Sequence, residues 1–182
     1  MSLIEAQILA ASVALLRPRS LFEFGTFHGG TTLQLAVNAP AEAVVHTLDL
    51  PPDHPLRADG ETVDLSPRDL GHRFRGGAAG AARPARIRQL LGDSAEFDFA
   101  PFADACDWIF VDAAHTFDRV LSDSRHALRM LRAGGVVFWH DVIPRFPGTC
   151  RAVAELSQSL AIRRVHGTSL AFYRAAAPTP SQ

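Results

Sequence analysis

The chain contains 182 residues, of which 47% are hydrophobic and 20% charged, and its formal net charge is -1. That length suits one globular domain with a substantial core, and the balanced charge gives no general attraction to nucleic acid or to an anionic membrane. All 18 basic residues are arginine, which excludes mechanisms that require a lysine, such as the Walker phosphate loop and Schiff-base catalysis.

The cysteine content and the absence of long apolar runs point to a reducing compartment. Cys106 and Cys150 are too few for a disulfide framework or for a four-ligand zinc site. No apolar run approaches the roughly 18 residues of a membrane span, and the N-terminus lacks the basic start of a signal peptide. We therefore expect a cytoplasmic protein that binds neither a membrane nor nucleic acid.

Helices and strands are predicted to alternate along the chain. Ser2 and Glu5 form a capping box, and apolar residues at helical spacing follow it until Pro18. The later elements are predicted as strand 20–24, glycine turn 25–30, helix 31–37, strand 44–48, strand 85–91, strand 108–111, helix 118–131, strand 136–139, helix 150–160 and a closing pair of strands at 161–165 and 169–173. We expect the pair Gly134 and Gly135 to end the helix that precedes strand 136–139.

This alternation predicts an α/β fold with a doubly wound, mostly parallel sheet that is covered by helices on both faces. The strands are continuous apolar runs, as expected for strands buried on both faces. We assign residues 1–174 to a single domain, in which the proline-rich stretch 51–84 is predicted to be a mobile loop or lid. Residues 175–182 are predicted to be a flexible tail.

Polar residues follow the first two predicted strands, where ligands bind in folds of this class. In Glu23-x-Gly25-x-x-x-Gly29-Gly30, the glycines let the backbone approach a ligand closely. The spacing differs from the G-x-G-x-x-G pattern of dinucleotide-binding proteins. Asp49 ends the second strand, 24 residues after Gly25, where an acid commonly binds ribose hydroxyls. A plain tight turn and a solvated strand end are the structural alternatives.

Acidic residues also end the later strands. Asp93 and Ser94 are placed either to contact an adenine or to cap a helix. Asp112 and Asp141 end neighbouring strands, so their carboxylates could converge on one cation. His115 is either a general base or a cap of the following helix.

Three other side chains carry structural expectations. Trp108 and Trp139 lie within predicted strands and are expected in the core. Asp123 is expected on the solvated surface of its helix, with a contact to His115 as the alternative.

Five segments together resemble small, single-domain bacterial methyltransferases of class I, which use S-adenosylmethionine (SAM). The resemblance extends over about residues 20–174 and rests on Glu23-Phe-Gly-Thr-Phe-His-Gly-Gly30, His46–Asp49, Leu91–Ser94, Asp107–His115 and Leu131–Asp141. It implies a Rossmann-like sheet of seven strands with the last strand antiparallel, and it implies SAM as the cofactor. The cofactor-binding residues that it implies are Glu23, Gly25, Thr26, Gly29, Asp49, Asp93 and Ser94. We add Asp112, which ends a strand, and His28, whose position in the glycine turn lets it contact the cofactor or the substrate.

The spacing Asp112-x-x-His115 is similar to that of O-methyltransferases acting on macrolide sugars and other natural products. That likeness implies Asp112 as a ligand of a divalent metal and His115 as the general base. His140 and Asp141 stand where the family completes its metal site. Mg²⁺ prefers oxygen ligands, so Mn²⁺ would accept His140 more readily than Mg²⁺ would. Whether a metal is required stays open.

We therefore predict a SAM-dependent O-methyltransferase whose partner is a small hydroxylated molecule, such as a sugar or another natural product. A homodimer is compatible with this prediction. One alternative is a methyltransferase-like module that binds the cofactor or a partner without catalysis. A less favoured alternative is a nicotinamide-dependent reductase, which the glycine spacing and the missing lysine both disfavour.

Overall fold

The computed structural model describes residues 1–56, 69–75 and 86–177. Within these ranges the helices are α1 (Leu3–Leu16), α2 (Gly30–Asn38), α3 (His72–Arg75), α4 (Phe117–Met130) and α5 (Pro147–Leu156). The strands are β1 (Ser20–Phe24), β2 (Val44–Asp49), β3 (Ile87–Leu91), β4 (Cys106–Val111), β5 (Leu131–Trp139), β6 (Arg163–Arg164) and β7 (Ala171–Arg174). Most of the predicted loop 51–84 and the end of the predicted tail lie outside the described residues. None of the helices in these ranges is long and apolar enough to cross a membrane.

The strands form one seven-stranded sheet in the order β3-β2-β1-β4-β5-β7-β6. Strands β1 to β5 pair in parallel, whereas β7 is antiparallel to both of its neighbours. The predicted sheet with its antiparallel last strand is therefore confirmed. The chain order reverses between β1 and β4, and in open sheets of this type such a reversal leaves a crevice at the carboxyl ends of the strands.

Helices cover both faces of the sheet, because the central strands β1, β4 and β5 turn apolar side chains to both sides. One apolar layer packs α1 and α2 against the sheet, and the other packs α4 and α5 against the opposite face. Trp108 and Trp139 are fully buried in these two layers, as predicted. Each indole N–H donates to a serine hydroxyl, Trp108 to Ser12 at 3.0 Å and Trp139 to Ser124 at 2.8 Å.

The boundary between α4 and β5 differs from the prediction. Helix α4 ends at Met130 and β5 begins at Leu131, so Gly134 and Gly135 lie inside the strand and do not end the helix. The pairing of β5 with β4 is irregular at this end of the strands. A Cβ on Gly135 would lie 3.0 Å from the carbonyl oxygen of Asp107. Close approach of β5 to β4 is therefore the physical reason for a glycine at 135.

Helix α1 has the predicted capping box at its start and a strained residue at its end. The Ser2 N–H donates to Glu5 Oε2 at 2.7 Å, and the Glu5 N–H donates to Ser2 Oγ at 3.3 Å. Beyond Leu16, Arg17 adopts a left-handed conformation with φ 50 and ψ 50. That conformation ends the helix just before Pro18, at a position where glycine is the usual residue.

Candidate functional site

A cavity of about 310 Å³ opens at the carboxyl ends of β1 to β4. Its volume falls at the lower end of the range of small-molecule sites, roughly 300–1,000 Å³. Its polar lining comes from Asp49, Asp93, Ser94, Arg119 and Asp123. The predicted cofactor residues Asp49, Asp93 and Ser94 are thus brought together in one cavity, although their strands are far apart in sequence.

The turn after β1 is shaped by a glycine that no other residue could replace without strain. Gly25 has φ 94, and a Cβ at this position would lie 2.3 Å from the carbonyl oxygen of Asp112. The turn is fastened from the next strand: Asp49 Oδ2 accepts the N–H groups of Thr26 at 2.9 Å and of Phe27 at 2.8 Å. Asp49 therefore braces the turn and also lines the cavity.

The carboxyl group of Glu23 lies beneath this turn and is fully buried. It accepts hydrogen bonds from the hydroxyls of Thr32 and Thr47. Burial raises the pKa of Glu23 to about 8, reinforced by the nearby charges of Asp112 and Asp49 and opposed by the two threonine hydrogen bonds. At neutral pH Glu23 is therefore mainly a neutral carboxylic acid.

The other predicted residues of the turn support its shape. Gly29 is the N-cap of α2 and has φ 78, and a Cβ there would lie 2.5 Å from the ring of Phe74. His28 stacks on Phe27 with ring centroids 3.9 Å apart, and the edge of His72 approaches it at 4.9 Å. Neither Gly29 nor His28 lines the cavity in the described part of the chain.

The far end of the cavity contains two residues of α4 that the sequence reasoning did not assign to the site. Arg119 Nη1 donates to Asp93 Oδ1, which also accepts the Ala95 N–H at 2.9 Å. Hydrogen bonds from Arg119 and Ala95 and the Arg119 charge outweigh the effect of burial and hold the pKa of Asp93 below its usual range. Arg119 stands four residues before Asp123, so the two lie on the same side of α4.

Asp123 was predicted on the helix surface, and that prediction is wrong because its side chain is only 1% exposed. Its position, three residues after Val120 and four before Ala127, places it on the buried stripe of α4, a signal that was available in the sequence. Neither carboxylate oxygen accepts a hydrogen bond of normal geometry from the described residues. Burial raises the pKa of Asp123 to about 6, with the nearby Ser94 hydroxyl opposing the shift.

A histidine and an aspartate form a hydrogen-bonded pair beyond the ends of β4 and β5. His115 Nε2 lies 2.9 Å from Asp141 Oδ2, and the His115 side chain is 37% exposed. The ring of Phe146 stacks on His115 with centroids 4.2 Å apart. Asp141 has φ 57, a left-handed conformation that is rare for a residue other than glycine and is often found at functional sites.

His140 is buried among three carboxylates. Its Nδ1 lies 3.0 Å from Asp112 Oδ1 and 3.3 Å from Asp141 Oδ1, and its Nε2 lies 3.4 Å from Glu5 Oε2. An ionised carboxylate only accepts hydrogen bonds, so both ring nitrogens must carry a proton. Burial alone would lower the pKa of His140, but Asp112 and Asp141 raise it to about 10. His140 therefore carries a positive charge near neutral pH.

The side chains whose ligand atoms converge are Asp112, His115 and Asp141, all within 4.8 Å of one another. Two carboxylates and an imidazole could hold a divalent metal of the Mn²⁺, Fe²⁺ or Zn²⁺ type. His140, which the sequence predicts as a ligand with Asp112 and Asp141, is not among the three converging side chains and instead lies within hydrogen-bonding distance of both carboxylates. Glu5, which contacts it, is 135 residues away along the chain, and no sequence signal could have revealed this contact.

Comparison with known families and proteins adds independent information. A family model described as a methyltransferase domain matches residues 22–142. A comparison with curated protein sequences gave no significant match.

Solved structures similar to the chain share its fold at low sequence identity. The O-methyltransferase TomG from Streptomyces achromogenes, involved in tomaymycin synthesis and solved with SAM, has a TM-score of 0.68 and 20% identity, with 97% of this chain and 81% of that chain covered. The O-methyltransferase from Bacillus cereus, solved with S-adenosylhomocysteine (SAH), has a TM-score of 0.67 and 19% identity, with coverage of 96% and 82%. Cofactor-bound Rv0187 from MTB has a TM-score of 0.69 and 20% identity, with coverage of 98% and 82%. At such identities these likenesses establish the fold.

Proposed function

Because the chain belongs to this family of methyltransferase domains, we propose that it is a SAM-dependent O-methyltransferase whose acceptor is a small hydroxylated molecule. The observation that carries the proposal is the position of the His115–Asp141 pair at the same edge of the sheet as the cavity. TomG and the B. cereus enzyme, which share the fold, are O-methyltransferases solved with SAM or SAH, and this supports the same cofactor here.

The cavity residues fit SAM. Asp49 ends β2, where an acid commonly binds the two ribose hydroxyls, and it lines the cavity. At the far end, Asp123 has carboxylate oxygens without a normal hydrogen-bond partner among the described residues, and an adenine amine would provide a donor. Buried polar groups are rarely left unpaired, so the fit is chemically sound. When bound, SAM supplies an electrophilic methyl group on a sulfonium ion.

The proposed base is His115, oriented by Asp141. The Nε2–H of His115 donates to Asp141 Oδ2, which leaves Nδ1 with a free lone pair. That nitrogen can accept the proton of an acceptor hydroxyl as the oxygen attacks the methyl carbon. The negative charge of Asp141 then stabilises the imidazolium that forms, as the buried aspartate does in a serine-protease triad.

His140 favours the ionised forms of two neighbouring carboxylates. Burial raises the pKa of Asp112, and the hydrogen bond and positive charge of His140 oppose that shift. Its positive charge lies between Asp112 and Asp141, and their mutual repulsion would otherwise favour protonation of one of them. If the protein binds a divalent metal here, Asp112, His115 and Asp141 would hold it. The metal would make the acceptor hydroxyl more acidic. His115 would then be a metal ligand, so the metal dependence of turnover tests its role as base.

Calorimetric titration with SAH tests the cofactor assignment. We expect binding in the micromolar range that is weakened on the order of tenfold by Asp49→Ala, which removes a cavity carboxylate. The matched control is Asp53→Ala, an exposed residue nearby, which should bind SAH normally. No binding of SAH at high micromolar concentration would contradict the proposal.

Transfer of a tritiated methyl group from SAM to a panel of sugars and phenols tests the reaction. We expect labelled product from at least one hydroxylated acceptor. The panel also includes the small-molecule fraction of a cell lysate. If SAH binds tightly but no acceptor is methylated, the alternative of a binding module without catalysis is favoured.

A further inference from the structure

A second cleft, of about 410 Å³, lies at the opposite edge of the sheet from the cofactor cavity. It is formed at the amino ends of β1, β4 and β5, together with the end of β7, which is antiparallel to β5. Among the described residues, its charged lining consists of one acid, Asp107, and four arginines, Arg17, Arg19, Arg132 and Arg174. This concentration of positive charge contrasts with the net charge of -1 of the whole chain.

The single acid of the cleft does not neutralise most of these arginines. Asp107 Oδ2 accepts the backbone N–H groups of Arg19 at 2.8 Å and Ser20 at 3.0 Å, and Asp107 Oδ1 faces Arg132 Nη1 at 3.1 Å. Within the described part of the chain, the guanidinium groups of the other three arginines have no ion-pair partner. Three like charges around one cleft repel one another unless an anion binds between them.

The backbone at Arg17 supports a functional reading of this cluster. Arg17 has φ 50 and ψ 50, which glycine adopts without strain and an arginine does not. Strained backbone conformations cluster at functional sites, so the strain at Arg17 suggests a role for its side chain. On the β5 side, Gly134 presents no side chain to the cleft, and the space around its missing Cβ is open, with the nearest described atom 3.9 Å away.

We propose that this cleft binds a phosphate-bearing anion. Guanidinium groups bind phosphate oxygens through two parallel hydrogen bonds, a geometry that lysine cannot provide. The cleft is larger than a single phosphate needs, so it suits a diphosphate or a phosphorylated small molecule. Asp107 and Asp112 stand at opposite ends of β4, which separates the cleft from the candidate active site by roughly 16 Å. The site is therefore distinct from the cofactor cavity.

Calorimetric titration with inorganic pyrophosphate at low ionic strength tests the proposal, with SAH present to fill the cofactor cavity. We expect binding with a Kd below about 1 mM, weakened on the order of tenfold in the double variant Arg19→Ala with Arg174→Ala, because charge-assisted hydrogen bonds are lost. The matched control is Arg163→Ala, an exposed arginine of β6 outside the cleft. The control should bind pyrophosphate as the unmodified protein does.

Arg17→Gly separates a binding role from a structural one. Glycine relieves the left-handed backbone, so we expect a melting temperature that is unchanged or higher. The same substitution removes one guanidinium, so we expect weaker pyrophosphate binding. Full retention of pyrophosphate affinity in this variant would show that Arg17 is not part of the site.

A parallel measurement identifies the source of the phosphate. Sedimentation with phosphatidylcholine vesicles, with and without phosphatidylglycerol, tests a lipid headgroup against the free anion. Binding of pyrophosphate alone supports a soluble phosphate ligand, and binding of anionic vesicles that the double variant loses supports a headgroup. The proposal is overturned when neither probe binds, or when Arg163→Ala weakens binding as much as the double variant does. SAH binding is measured in the same samples, so failure here is distinguishable from failure of the proposed enzymatic function.

Discussion

Burial and pairing set the protonation states of the titratable side chains around the site. Asp112 and Asp141 raise the pKa of His140 to about 10, despite the opposing effect of burial. Conversely, hydrogen bonds from His115 and His140 hold the pKa of Asp141 well below its usual range, again against burial. Glu23 has no cationic partner in the described part of the chain, and burial raises its pKa to about 8. Each residue's charge thus follows from its neighbours and not from its type alone.

Glu23→Gln should change how stability depends on pH. The pKa of Glu23 is about 8 in the folded protein and 4.5 as its ordinary value, so between these values the folded state keeps a proton that the unfolded chain releases. Rising pH therefore destabilises the native protein across this window, on the order of 1 kcal/mol per pH unit. Glutamine mimics the neutral acid and should remove that loss. Urea unfolding of both proteins from pH 5 to pH 8 measures how the free energy of unfolding depends on pH. The same pH dependence in both proteins would contradict the prediction.

His115→Ala should lower kcat by roughly 100- to 1,000-fold while leaving the SAH affinity unchanged, because a general base acts only in the chemical step. Asp141→Asn should lower kcat on the order of 100-fold, since it removes the charge that stabilises the imidazolium. Initial rates measure both effects, with an acceptor identified in the methyl-transfer panel of sugars and phenols. His166→Ala, at an exposed turn, is the control, and activity that survives in His115→Ala would refute the base assignment.

Turnover should be insensitive to EDTA and to added Mn²⁺. The reason is that the positive charge of His140 already offsets part of the negative charge of Asp112 and Asp141, which a metal would otherwise offset. Rates measured before and after chelation decide the matter. A loss of rate with EDTA that Mn²⁺ restores would instead make His115 a metal ligand.

At the scale of elements, α1 joins two distant parts of the chain to the site. Glu5 Oε1 accepts the N–H and the hydroxyl of Ser169 at 2.7 Å each, while Oε2 faces His140. Ser169 lies just before β7, so the helix, the last strand and the end of β5 meet at one buried carboxylate. A capping residue of α1 thus also stabilises tertiary structure around the site.

Glu5→Gln should lower the free energy of unfolding near neutral pH. It should also make that free energy fall less steeply as the pH is lowered. Burial would raise the pKa of Glu5, but hydrogen bonds from Ser169 and Ser2 outweigh it and lower the pKa from 4.5 to about 2. The stabilisation is therefore present above pH 4.5 and is lost as the pH falls toward 2, for a total of about 3 kcal/mol. Urea unfolding at pH 7 and pH 3 measures it. Ser169→Ala should have a smaller effect of the same sign, and a pH-independent loss in Glu5→Gln would contradict this account.

For the whole molecule, the parallel sheet places two sites at its two edges. The cofactor cavity lies at the carboxyl ends of the strands, and the arginine cleft lies at their amino ends. Strands β4 and β5 contribute residues to both edges. The sheet between the sites is packed with fully buried aromatic side chains, so each site is held by a common rigid core.

SAH and pyrophosphate should stabilise the protein additively. Each ligand binds the native state at a separate place, and each should add RT ln(1 + [L]/Kd), about 2.7 kcal/mol at a ligand concentration of 100 times Kd. Thermal unfolding with each ligand alone and with both together measures the increments. Mutual exclusion, seen as no further stabilisation by the second ligand, would place both in one cavity.

The sequence predicted most of the elements because local signals were strong. The capping box located the start of α1, and the continuous apolar runs located β1 and β2 to within a residue. The end of α4 was misplaced, since a glycine pair signals a helix end but here allows β5 to approach β4. For Asp123, the polar side chain predicts the helix surface whereas the helical spacing predicts the buried stripe, and the structure places it on the buried stripe.

The amino-acid sequence by itself determined the fold and the side chains available to the site. Strand ends of a parallel sheet must meet at one edge, so Asp49, Asp93, Asp112 and Asp141 could be grouped from their positions alone. Only the tertiary structure decided their partners. The contacts of His140 with Glu5 and of Arg119 with Asp93 join segments that are distant in sequence, and hydrogen bonding and burial act over a few ångströms of space. Charge states and ligand roles therefore depend on packing, which periodicity and motif spacing do not encode.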